Sequence, residues 1–135
     1  ETTEQNRRAG SLARSTIADI RSGKRPFNPE ALHEQAESFR AEGQFVDAHL
    51  LDFFCAREGY GPSAFTLAKV YDPTVDSKES QAMGEPDAMQ AHKWYTKAKA
   101  AGVAGVDERL AELHYWVKKA ANDGDVELQV LLSQW

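Results

Sequence analysis

The sequence predicts an all-α fold, and three observations carry that expectation. The 135 residues include 20 Ala and 10 Leu against 8 Val and 2 Ile, so strong helix formers far outnumber β-branched aliphatics. Apolar residues recur at three- and four-residue steps instead of alternating. Gly and Pro punctuate the ends of these periodic stretches. Many of the Ala residues fall at positions that the period assigns to the core, which suits short helices that approach closely and gain their stability by stacking.

The elements follow in order. Ala9, Leu12, Ala13, Ile17 and Ile20 share a face, so a helix is expected from about residue 5 to 22, ended by Gly23 and the Pro26 breaker. Asn28-Pro29-Glu30 reads as an N-cap with Pro at the first helical position, and Leu32, Ala36 and Phe39 mark one face up to Ala41. Gly43 stops that helix. Phe45, Ala48, Leu51 and Cys55, with Phe54 beside them, describe a second amphipathic helix ending near Gly59-Tyr60-Gly61, so the two form a hairpin. A third helix runs from Pro62 to about Tyr71, with Ala64, Leu67, Ala68 and Tyr71 on its buried side, and Asp72-Pro73 ends it.

The stretch from Asp72 to Pro86 is polar and shows neither helical nor strand periodicity, so it reads as a solvated surface loop. A helix resumes near Asp87, where Ala88, Ala91, Trp94, Tyr95 and Ala98 form a stripe running to Ala101. From Val106 the positions Leu110, Leu113, Val117 and Ala120 continue one unbroken helix to about Asn122. Asp125 then caps a short last helix carrying Val126, Val130 and Leu131. Trp94 and Trp116 read as core aromatics, and Trp135 either caps the last layer or leaves an apolar edge.

Composition narrows the function classes. Roughly 18 apolar residues are needed to span a bilayer, and the longest apolar runs, such as Phe53 to Ala56, are far shorter. A single Cys makes neither an internal disulfide nor a multi-thiolate zinc site, which leaves the redox compartment open. Glu1 to Arg8 is polar with no apolar stretch behind it, so these residues do not read as a secretory leader. The net charge of −5 is uneven. Residues 1–25 form a basic arm carrying +3, which leaves −8 on the domain of residues 26–135. The acidic balance disfavours nucleic acid as a partner.

Self-similarity adds an architecture. The segment Gly61-x-x-Ala64-x-x-Leu67-Ala68-x-x-Tyr71, followed by Asp87-x-x-x-Ala91-x-x-Trp94-Tyr95-x-Lys97-Ala98-x-x-x-Gly102, resembles one full Sel-one-like repeat, a tetratricopeptide-related α/α unit. Its small residues let the helices of a hairpin approach, and its aromatics fill the space between layers. Part of the pattern recurs as Leu113-x-x-Trp116-Val117-x-Lys119-Ala120-Ala121-x-x-Gly124. Trp116 follows Trp94 by 22 residues, too few for another complete hairpin, so the first helix of this unit reads as lost or fused. Upstream, Ala36, Phe39, Gly43, Phe45, Ala48 and Cys55 resemble a tetratricopeptide-type hairpin, although Asp52 stands where that pattern prefers an aromatic residue.

The resemblance implies a short α/α solenoid of helix hairpins acting as a non-catalytic scaffold or adaptor, whose concave face binds a peptide or a partner helix. In bacteria such repeats often belong to exported or envelope-associated proteins, which favours a periplasmic or envelope location. On the tetratricopeptide register the first helix of each hairpin lines the concave face with His33, Glu37 and Arg40, then Phe65, Thr66 and Lys69. These six are the expected partner-binding residues.

Signals for other chemistry are thin. His33-Glu34-Gln35-Ala36-Glu37 begins like a zinc-protease helix but ends in Glu where the second His is required, so no metal site is expected there. Cys55 on an apolar face reads as a small core residue. There is no P-loop, dinucleotide fingerprint or nucleophile elbow, and the acidic stretch with Asp72, Asp76, Glu79, Glu85 and Asp87 lacks calcium-loop spacing. No cofactor and no catalytic residue are therefore expected. Two alternatives stay open: a hydrolase-type enzyme on the same array, using His33 and Glu37 in one pocket, and binding of an anionic polymer through the basic arm.

Overall fold

The computed structural model describes residues 9–135, and among them it is all-helical. Eight helices follow one another: α1 (Ser11–Arg21), α2 (Pro29–Ala41), α3 (Phe45–Arg57), α4 (Gly61–Tyr71), α5 (Lys78–Met83), α6 (Ala88–Ala100), α7 (Val106–Asn122) and α8 (Val126–Gln134). Residues 1–8, including Arg7 and Arg8 of the basic segment and the expected start of its helix, lie outside the described residues.

Local chemistry sets most boundaries. Asn28 accepts a hydrogen bond from the Ala31 N–H, Asp87 from the Met89 and Gln90 N–H groups, and Asp125 from the Leu128 N–H. At the end of α2, Gly43 takes φ 78°, and the Gln44 N–H reaches back to the Phe39 carbonyl at 2.8 Å, so the chain reverses within a few residues. α1 has no side-chain cap of its own. Instead the buried Asp47 of α3 accepts from the Ala13 N–H at 2.9 Å, so a distant carboxylate serves one of the open donors at that helix start.

The helices pack largely on neighbours in the chain, with α2 on α3, α4 on α3, α4 on α6, α6 on α7 and α7 on α8, while α1 lies on α3. The apolar interior falls into two clusters. Ala13, Ile17, Leu32, Phe39, Leu51 and Phe54 belong to the cluster of α1, α2 and α3. Leu67, Trp94, Tyr95, Val106, Leu113 and Leu131 belong to the larger one, built from α4, α6, α7 and α8. Ala68 and Ala91, both fully buried, let α4 and α6 approach. At the mouth of that pair, a Cβ on Gly61 would lie only 2.7 Å from the Ala101 Cβ and 2.8 Å from the Val103 Cγ2, which leaves room for hydrogen alone.

Three expectations need correction. The stretch from Asp72 to Pro86 is not a solvated loop throughout: α5 forms there, started by reciprocal hydrogen bonds between Ser77 and Ser80, and Asp72, Glu79 and Ser80 are buried. Trp116 is 38% exposed, unlike Trp94, because it stands at an edge beside Pro86 and Leu128. On α8 the residues facing the core are Leu128 and Leu131, while Val126 and Val130 face solvent. Trp135 packs between the imidazoles of His92 and His114, at centroid distances of 4.3 and 4.4 Å, and so covers the last layer.

Candidate functional site

Where the two apolar clusters adjoin, the helices present charge. His33, Glu37 and Arg40 stand on one face of α2 at four- and three-residue steps, Asp52 projects from α3, Ser63 from the first turn of α4 and Glu79 from α5. Asp52 is fully buried and receives a complete set of donors. His33 Nδ1 lies 2.7 Å from its Oδ1, the Ser63 hydroxyl donates to the same oxygen at 2.7 Å, and Arg40 Nη2 donates to Oδ2 at 2.8 Å. Arg40 also donates through Nε and Nη2 to the buried carboxylate of Glu79, and through Nη1 to Glu37 at 2.8 Å. One guanidinium thus serves three carboxylates from three helices, using the fixed fork of donors that a lysine lacks.

The electrostatics follow from these contacts. The hydrogen bond to Asp52 raises the His33 pKa above its ordinary value, against a partial burial that works the other way. Burial disfavours the charge on Arg40, but its bonds to Glu79 and Asp52 outweigh that and hold it charged. His49 is lowered, chiefly by burial, and its Nδ1 has no hydrogen-bond partner although Glu79 Oε2 lies 3.9 Å away.

A second polar knot pins the start of the connection between α4 and α6. The fully buried Asp72 accepts from the Tyr95 hydroxyl at 2.6 Å, from Arg109 Nη2 at 3.1 Å, and from both the backbone and the hydroxyl of Thr74, at 2.8 and 2.7 Å. Burial, then the bond to Asp72, raises the Tyr95 pKa and keeps the phenol protonated as a donor.

His33, Glu37 and Asp52 offer ligand atoms within 4.8 Å of one another, a spacing that a metal ion could span. Arg40 decides against that use. It donates to both Glu37 and Asp52, and the remaining oxygen of Asp52 is taken by His33 and Ser63, so the guanidinium already supplies the positive charge that a cation would bring. Nor do Ser63, His33 and Asp52 form a relay. The buried hydroxyl gives its hydrogen to the carboxylate, and both Asp52 Oδ1 and Ser63 Oγ meet the same ring nitrogen, His33 Nδ1, at 2.7 and 3.5 Å, whereas a relay needs one on each nitrogen; His33 Nε2 faces Glu37 at 3.9 Å. Cys55 is buried, and desolvation pushes its thiol up to about 12, so its sulfur stays protonated and unreactive.

The six residues expected to bind a partner divide between two places. Glu37 and Arg40 of α2, with Thr66 and Lys69 of α4, line one groove of about 450 Å³, closed on its far side by α5. His33 and Phe65 fall outside its walls. His33 is drawn toward Asp52, and Phe65 turns to the Tyr95 ring, 5.9 Å away, while Lys69 Nζ lies 4.4 Å above it. Residue-type patterns missed Ser63, Glu79 and Asp47 as structural ligands. The one visible signal was Asp52, a carboxylate interrupting the apolar run Leu50-Leu51-Asp52-Phe53-Phe54. Comparison with family models, with curated proteins and with solved structures finds no match for this chain.

Proposed function

We propose that this chain is a non-catalytic interaction domain, a short α/α array of the Sel-one-like and tetratricopeptide kind, which seats an extended peptide in the groove between α2, α4 and α5. The observation that supports this reading is that Glu37, Arg40, Thr66 and Lys69, from the first helices of two successive hairpins, line one groove. Phe45, Val70 and Val75 give that groove apolar wall, and Lys69 and Lys78 bring positive charge to it. Among the described residues neither lysine is in an ion pair with a carboxylate, whereas Arg40 is consumed by three. An apolar wall beside two ammonium groups without carboxylate partners, that of Lys69 resting on the Phe65 ring, suits a peptide with one apolar anchor and a carboxylate, either a side chain or a chain terminus.

The test selects random peptides of about 12 residues displayed on phage against the full chain, with a Lys69→Glu/Lys78→Glu variant as the counter-target. Both substitutions lie on exposed or half-buried positions, and matching thermal melts check that the variant folds. Peptides rich in carboxylates that bind the wild type and weaken tenfold or more on the variant support the reading. Selected peptides that bind both proteins equally, or no selected peptide at all, overturn it.

A further inference from the structure

A second groove lies between α1 and α3, and its chemistry is different. Arg14, Ile17 and Arg21 stand on α1 at three- and four-residue steps, and Leu50, Phe53 and Arg57 stand likewise on α3, so each helix contributes one wall of a trough of about 690 Å³. Its floor is apolar, with Phe54 beneath, and Phe53 remains 36% exposed. The guanidinium groups of Arg21 and Arg57 lie 5.4 and 5.8 Å from the Phe54 and Phe53 ring centroids, so both arginines are drawn over the floor. Among the described residues no carboxylate lines the trough and none forms an ion pair with Arg14, Arg21 or Arg57; Arg14 Nη2 donates to the Ala9 carbonyl at 2.8 Å. Three cations around an apolar floor contrast with a chain whose net charge is −5.

We propose that this trough docks an acidic amphipathic helix of a partner protein. Each wall runs eight residues, seven steps or about 10 Å at the rise of an α-helix, which matches two turns of a ligand helix with anchors at i, i+3 or i+4, and i+7. Such a helix lies in the trough as a third partner to α1 and α3, covers Leu50 and Phe53 with its apolar face, and brings flanking carboxylates to the planar forks of Arg21 and Arg57, and to the arm of Arg14 that the Ala9 carbonyl leaves open. The trough is open along its length, whereas an acyl chain requires a cavity that encloses most of its surface, so the shape favours a helix over a fatty acid.

The experiment measures binding of the full chain to two fluorescent peptides of about 18 residues, long enough to form helix when docked. They share one Leu/Phe face and differ only in carrying Glu or Lys on its flanks. Phe53→Ala and Arg21→Glu/Arg57→Glu variants, checked by thermal melts, are measured alongside, as are heparin and vesicles containing phosphatidylglycerol. The Glu peptide should bind at least tenfold more tightly than the Lys peptide, should weaken tenfold or more on either variant, and should lose affinity as salt rises from about 0.05 to 0.5 M. Equal binding of both peptides, or no binding of the Glu peptide at millimolar concentration, overturns the proposal. Tighter binding of heparin or vesicles that Phe53→Ala leaves unchanged also overturns it, in favour of a site that reads charge alone.

Discussion

Asp52→Asn removes one charge and almost no volume from the most enclosed part of the polar cluster, so it isolates what the carboxylate does. The native side chain accepts from His33, Ser63 and Arg40 at 2.7, 2.7 and 2.8 Å. An amide has one acceptor atom where the carboxylate has two: with its oxygen turned to Arg40, its NH₂ group faces Ser63 and His33, which can accept from it only by giving up the hydrogens they direct at Asp52. Removing one partner of a buried ion pair costs about 3–5 kcal/mol. Arg40 keeps Glu79 and Glu37, so the lower end of that range, about 3 kcal/mol, is expected. Urea unfolding followed by circular dichroism should show a lowered midpoint with an unchanged slope.

A second reading of the same variant comes from pH. Asp52 is the leading cause that raises the His33 pKa above 6.5 in the folded protein, so the folded state holds that proton more firmly than the unfolded chain does. The resulting stabilisation is fully present below about pH 6.5 and is lost as pH rises through the folded value. In Asp52→Asn the NMR titration of His33 should move down, and this part of the pH dependence should vanish. A loss below about 1 kcal/mol together with an unmoved His33 titration would refute the assignment of Asp52 as the ligand that organises the cluster.

Three further outcomes test other parts of the structure. Trp94→Ala, at a site only 2% exposed and packed against Phe53, should cost about 3–5 kcal/mol in the same urea assay, and an unchanged midpoint would refute its place in the core. Gly61→Ala forces a methyl group against Ala101 and Val103 and should cost about 1–3 kcal/mol, so an equal or raised melting temperature would show that α4 and α6 do not approach as described. Cys55, its thiol pushed up to about 12, should resist maleimide at pH 7 to 8 in the native protein and react promptly in urea; rapid native labelling would contradict its burial.

Much of the fold was legible because the signals that set it are local. Asn28-Pro29, Asp87 and Asp125 announce helix starts within three residues of the N–H groups they serve, and the apolar period from Val106 carries α7 without a break to Asn122. α5 was not legible. It is six residues long, its apolar content is Ala82 and Met83, and it docks through Glu79 on Arg40, 39 residues away, a contact that no window along the chain contains. Trp94 and Trp116 occupy equivalent places in the sequence pattern, yet Phe53 covers the first and the second stands at an edge, so periodicity gave a facing direction but not a depth. For the site, spacing placed His33, Glu37 and Arg40 on one face of α2. It did not reveal that Asp52 and Glu79 would claim Arg40 as a tie inside the molecule and leave Lys69 as the freer cation.

The placement of that tie governs how far the helices can slide. Ala-rich faces such as those of α4 and α6 offer similar apolar contacts at neighbouring settings, and a displacement of one helical turn, about 5.4 Å, changes such a surface little. A guanidinium bonded to carboxylates on α2, α3 and α5, with α4 joined through the Ser63 hydroxyl, permits no such displacement without stranding buried charge. It acts as a detent that fixes the offset between the first hairpin and the next. The groove bounded by α2, α4 and α5 is thereby held in shape by bonds inside the molecule, so a peptide bound there, as proposed above, would be spared the entropy of shaping it.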